Sequence, residues 1–124
     1  MPLRNQNTIS FLATADASES RAFFEQIVGL DLLEETDFAL VFSIANGQLR
    51  IQKVQQVSPP AYTCMGWEVD DIETVVATLS DRGVVFDQYD GLQQSEHRIW
   101  TSPSGAKIAW FRDPDGNTLS LTQP

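Results

Sequence analysis

The stretch Ala106-Lys107-Ile108-Ala109-Trp110-Phe111-Arg112-Asp113-Pro114-Asp115-Gly116-Asn117-Thr118-Leu119-Ser120-Leu121-Thr122-Gln123 decides how this chain is read. Its middle is a turn. Pro114 stands where φ must be about −65°, and Gly116 where φ is free to turn positive. Apolar residues fill the run before the turn. After it, Leu119 and Leu121 alternate with Thr118, Ser120 and Thr122. Period-two alternation on both sides of a tight turn predicts a β-hairpin. Its second strand buries leucines on one face and shows hydroxyls on the other, toward water or toward a wet cavity.

The same grammar occurs earlier. Thr8 to Thr14 is strand-like, and Asp16 followed by Glu19 resembles a capping box. Phe23, Ile27 and Leu30 recur at helical spacing, with Phe24 and Val28 widening the stripe, and Gly29 ends the helix. Leu32-Leu33 and Phe38 to Ile44 read as strands. Asn46-Gly47 is a strong hairpin signal before the strand Leu49 to Val54. Gln55 to Pro60 reads as a connector. Then the series restarts: strand Tyr62 to Val69, the acidic cap Asp70-Asp71, and a helix with Ile72, Val75, Val76 and Leu79 on one face. Gly83 ends it, Val84 to Phe86 reads as a strand, and the Asp-Pro-Asp-Gly-Asn hairpin closes the unit. The spacing from Asp16 to Asp70 equals that from Gly29 to Gly83, 54 residues. This is an internal repeat of strand, helix and three strands, with an insert from Gly91 to Pro103. The predicted fold is α+β: two βαβββ modules forming a curved mixed sheet around a cleft. One domain, 1–124, is expected, with module one at about 8–55, a linker at 56–60 and module two at about 61–123.

Composition narrows the function. The chain has 124 residues, 42% of them hydrophobic, a formal charge of −9 and one cysteine, Cys64. One cysteine excludes an internal disulfide and fits a reducing compartment. Residues 1–7 lack the apolar segment of a signal peptide, so a cytoplasmic location is expected. The acidity argues against a nucleic-acid partner, which needs a basic surface. With no apolar run of about 18 residues, no membrane partner is expected either.

The motifs Asp16…Phe23-Phe24…Val28-Gly29-Leu30, Trp67-Glu68-Val69-Asp70-Asp71 and Phe111 to Leu121 together resemble the vicinal oxygen chelate superfamily. It contains glyoxalases, bleomycin-resistance proteins, fosfomycin-resistance enzymes and extradiol dioxygenases. The resemblance spans about Thr8 to Gln123. It implies a divalent metal held by four strand residues, mostly His and Glu. The matching positions here are Ile9, Arg50, Cys64 and Ser120. An apolar chain, a guanidinium, a thiol and a hydroxyl do not make a divalent site, so neither metal nor other cofactor is expected. The only histidine, His97, lies in the insert.

The resemblance then implies a ligand cleft. Trp110 and Ile108 would line it, and Trp100 would lie in an insert over its mouth. Phe11 would add apolar surface, and Arg50, Gln52 and Ser120 would be polar anchors. Arg50 is read either as an anchor for a carboxylate or phosphate or as an internal salt bridge to Glu68. Cys64 is either a cleft-wall residue or a small buried hydrophobe. Trp67 is expected in the core. Two functions follow. One is a metal-independent small-molecule-binding protein resembling bleomycin-resistance proteins. The other is a metal-independent isomerase or lyase using Cys64, His97 or Glu68. The resemblance also implies a homodimer.

Overall fold

The computed structural model describes residues 2–124. It is α+β and divides into two compact units, one running to Ser58 and the other from Pro59 to Pro124. Each holds one four-stranded mixed sheet.

The first unit contains β1 (Thr8–Thr14), α1 (Ala17–Ala22), β2 (Asp31–Glu35), β3 (Ala39–Ile44) and β4 (Gly47–Lys53). Its strand order is β1-β4-β3-β2; β1 is parallel to β4 and the other pairs are antiparallel. Leu12, Leu40, Phe42, Leu49 and Ile51 share one face and are buried with Phe23 and Phe24. The Phe24 and Phe42 rings lie 5.9 Å apart. The opposite face carries Ile9, Phe11, Val41, Gln48, Arg50 and Gln52.

Asp16 caps α1 by accepting the Glu19 N–H at 3.1 Å. After Ala22 the helix widens into a π turn, Phe23–Val28, which ends at Gly29 with φ +90°. In the second unit the cap is Asp71, not the Asp70 that equal spacing suggested. Asp71 accepts both N–H and O–H from Thr74, and this lowers its carboxyl pKa. The first helical segment thus holds one more residue between cap and terminal glycine. A π turn takes up one extra residue, and that keeps both helix ends in place.

The expected Asn46-Gly47 turn is displaced by one residue. Ile44 pairs with Gly47, so the loop is Ala45-Asn46, with Asn46 at φ +61°. Gly47 is already in β4. A Cβ there would fall 1.8 Å from the Thr8 carbonyl oxygen of the neighbouring strand. Close approach of two strands, rather than turn geometry, is what requires this glycine.

The second unit contains β5 (Thr63–Glu68), α2 (Ile72–Asp81), β6 (Trp100–Thr101), β7 (Lys107–Arg112) and β8 (Thr118–Gln123), in the order β5-β8-β7-β6. It repeats the topology of the first. Ile72, Val76 and Leu79 of α2 are buried, as are Ala109, Phe111, Leu119 and Leu121 of the sheet. Trp67 stacks on Phe111 at 6.4 Å on the core-facing side of the sheet, but it is half-buried and not in the core that was expected for it.

The predicted strand Val84–Phe86 is not a strand. Its alternation is real, since Phe86 is buried and Val85 is exposed. A backbone bond ties the chain just after it to the sheet, from Asp87 N–H to the Trp110 carbonyl at 2.8 Å. The outer position beside β7 is taken by Trp100 and Thr101, from the insert.

Candidate functional site

The second unit has one open sheet face. The register places Ile108, Trp110 and Arg112 of β7 opposite Thr122, Ser120 and Thr118 of β8. Trp100 of β6 stands opposite Ile108. This is the hydroxyl face anticipated from the alternation, with two indoles set into it. The Trp100 and Trp110 rings are 6.1 Å apart and tilted by 31°. Tyr89, from the loop after α2, stands edge-on to Trp110 at 5.3 Å and 85°. Edge-to-face contact of this kind fixes ring orientation as well as burying area.

Two of these rings, Tyr89 and Trp110, wall a hollow of about 330 Å³ that Ala61, Tyr62, Thr63, Leu92 and Thr118 also line. A volume near the lower end for small-molecule sites, with aromatic walls and two threonine hydroxyls, suits a compact ligand.

Gln94 makes three of the bonds that hold the Tyr89 loop. Gln94 Oε1 accepts the Tyr89 N–H at 2.7 Å, and its Nε2 donates to the carbonyls of Asp87 and Arg98 at 2.9 and 2.8 Å. A segment without strand structure is thereby fixed against the sheet. Burial raises the Tyr89 phenol pKa, and the nearby Asp87 carboxylate adds to the rise. Asp87 also accepts from Arg112 Nε at 3.1 Å.

Of the residues singled out from sequence, Trp100, Ile108, Trp110 and Ser120 share this face, and Trp110 lines the hollow itself. Gly66 sits opposite Ser120 and leaves it room: a Cβ there would fall 2.4 Å from Ser120 Oγ. Cys64 falls at a register shift in β5, where Thr63 pairs with Thr118 and Met65 with Leu119. A bulge breaks strict alternation, and the residue lining the hollow is Thr63. The Cys64 thiol is half-buried, with one 3.8 Å contact to the Tyr62 carbonyl. His97 is exposed in the loop before β6, beside a still more exposed Glu96. Phe11, Arg50 and Gln52 lie on the open face of the first unit. Tyr89, Leu92 and Gln94 were not anticipated, because they belong to an irregular segment without periodicity. Thr118 had a signal in the hydroxyl alternation.

The positions that the resemblance assigns to metal donors hold Ile9, Arg50, Cys64 and Ser120, and this set does not fit a divalent ion. Among the described residues, no three His, Cys, Asp or Glu side chains come together closely enough to share one.

A family model, Glyoxalase/Bleomycin resistance protein/Dioxygenase superfamily, matches residues 6–121. The chain belongs to this superfamily. Its fold is that of many solved structures. TnmS3, an antibiotic binding protein from Streptomyces sp. CB03234, is 25% identical at a TM-score of 0.72, covering 96% of this chain and 95% of that one. A glyoxalase family protein from Bacillus anthracis is 16% identical at a TM-score of 0.74, covering 94% and 93%. Lactoylglutathione lyase from Agrobacterium tumefaciens is 14% identical at 0.74, covering 94% and 91%. Comparison with curated protein sequences gives no match. Among the described residues, no helix is long and apolar enough to cross a membrane.

Proposed function

We propose that this superfamily member binds a small, planar, largely apolar molecule without a bound metal. The observation that carries this reading is the aromatic wall of Tyr89, Trp110 and Trp100 beside the hollow. Stacking on an indole suits a flat ring system, and Thr63 and Thr118 offer hydroxyls to its polar edge. The similarity to an antibiotic binding protein supports the same class of activity. The unsuitable donor set at Ile9, Arg50, Cys64 and Ser120 supports metal independence. We further infer a cytoplasmic homodimer, from the single cysteine and from superfamily membership.

The test is a titration of the intact protein with a panel of planar aromatic compounds, read by tryptophan fluorescence. It is accompanied by native mass spectrometry of the protein as purified. Saturable quenching, lost in Trp110→Ala while the fold is kept, is the expected result. The mass spectrum should show a dimer without stoichiometric metal. A stoichiometric divalent ion overturns metal independence. Quenching unaffected by Trp110→Ala overturns the assigned hollow.

A further inference from the structure

The open face of the first unit carries an arginine, Arg50, with no carboxylate in ion-pair range among the described residues. Arg50 lies mid-strand in β4, between its register partners Phe11 on β1 and Val41 on β3. A guanidinium has five N–H donors. Within its unit Arg50 spends one of them, on Gln48 Oε1 at a long 3.4 Å. Its Nε is buried and has no hydrogen-bond partner.

The chain carries 17 carboxylates against 8 lysines and arginines. Arg21 and Lys53, in the same unit, both reach Glu35. A buried donor left unmet is destabilising and calls for an explanation, a bound ion or ligand being one. The surroundings indicate what kind. Phe11 and Ile9, on the same face, are 57% and 48% exposed, large apolar side chains turned to solvent. Gln48 and Gln52 are neutral. Glu34 stands on this face two strands from Arg50, about 10 Å at ordinary strand spacing.

We propose that Arg50 anchors the carboxylate of an organic monoanion whose aromatic or branched body lies against Phe11 and Ile9. The planar fork of the guanidinium matches a carboxylate with two parallel hydrogen bonds. One fixed cation balances one negative charge. A phosphate dianion would need a second cation, and this face offers Glu34 instead. The apolar flank favours an organic anion over an inorganic one. The assignment does not depend on the hollow in the second unit, and it is read at a different atom.

The experiment labels the full chain with ¹⁵N-arginine and follows the Arg50 Nε–H resonance, assigned by its loss in Arg50→Gln. Benzoate is the probe. Benzamide has the same body without charge, and inorganic phosphate has charge without the body. Saturable movement with benzoate but with neither control is expected. Benzoate affinity, measured by calorimetry, should fall by about tenfold or more in Arg50→Gln. The wild-type titration needs no variant to fold. An unmoved resonance, or equal movement with benzamide, overturns the proposal. So does a response to phosphate as strong as that to benzoate. Movement on Glu68→Gln without any ligand also overturns it, by showing an internal ion pair.

Discussion

Asp113 and Asn117 clasp the last hairpin from both sides. Asp113 Oδ1 accepts the Asn117 backbone N–H at 2.9 Å, and Oδ2 accepts the Asn117 side-chain amide, also at 2.9 Å. The Asp115 N–H adds a third bond at 3.0 Å. The Asp113 carboxyl is buried, and loss of solvent raises its pKa, against the hydrogen bonds from Asn117 that lower it. The folded chain therefore holds this proton to higher pH than the unfolded chain. The stability linked to it is complete below the unfolded value of 3.8 and falls as pH rises through the folded value. Asn117→Ala removes a donor from a buried carboxylate. It should destabilise by about 1–3 kcal/mol near neutral pH and move the Asp113 midpoint further upward. Carboxyl ¹³C titration with denaturant melts at several pH values checks both. An unchanged midpoint sinks the account.

Glu35 works with the opposite sign. Its hydrogen bond with Lys53, and next that with Arg21, lowers its pKa. Its contribution to stability is present above the unfolded value of 4.5 and is lost as pH falls through the folded value. Lys53→Met should return the Glu35 midpoint toward its ordinary range and flatten the acid limb of the stability profile. Elevated salt should weaken the difference between wild type and variant, because the pair is exposed.

Gly47→Ala tests why the first hairpin holds a glycine. The new methyl would fall 1.8 Å from the Thr8 carbonyl oxygen, which belongs to the backbone of β1 and has no rotamer to yield. The parallel pairing of β1 with β4 starts at this residue. A loss of roughly 2–3 kcal/mol or more in chemical denaturation is expected. A variant as stable as wild type would show that β1 does not pair here.

Where periodicity was strong, residues announced their places. Leu49 and Ile51 against Arg50 and Gln52, and Leu119 and Leu121 against Ser120, fall on the faces their alternation implied. Trp67 took the core-facing side for the same reason, although it stays half-buried there. Val84 to Phe86 misled because a chain that buries one residue and exposes the next looks like a strand without pairing as one. Pairing is a property of the neighbour, and the neighbour position here belongs to Trp100. Cys64 slipped because alternation fails at a bulge, and no local residue pattern reported the bulge. Tyr89 and Gln94 were illegible because their roles arise from hydrogen bonds within an irregular loop.

Trp67 and Trp110 should separate stability from binding. The Trp67 ring stacks on Phe111 on the helix-covered face, and Trp110 stands on the open face. Trp67→Ala should cost roughly 3 kcal/mol of stability and leave ligand affinity, in the fraction that is folded, near wild type. Trp110→Ala should cost less stability and most of the affinity. Thermal melts paired with fluorescence titration at a temperature where both variants are folded make the comparison. Loss of affinity in both variants alike would mean that binding follows global stability and not the aromatic wall.

Gln94→Ala gives the sharpest test of how the hollow is held. Its amide receives one N–H and donates to two carbonyls, across a segment with no strand of its own. Removing it frees the Asp87 and Arg98 carbonyls and the Tyr89 N–H together. These groups lie near the surface, so water replaces part of what is lost. The stability loss should stay at about 1–2 kcal/mol. The larger effect should be on Tyr89, whose ring meets Trp110 edge-on only while the loop is fixed. With that contact loosened, the phenol becomes more hydrated. Its raised pKa then relaxes toward the ordinary phenol value of 10.0, because burial is the largest cause of the shift. Ultraviolet titration of the tyrosines shows this directly, and Gln94→Glu, which keeps the acceptor for the Tyr89 N–H, should retain more of the shift. A Tyr89 midpoint unchanged in Gln94→Ala would mean that the sheet alone holds the aromatic wall.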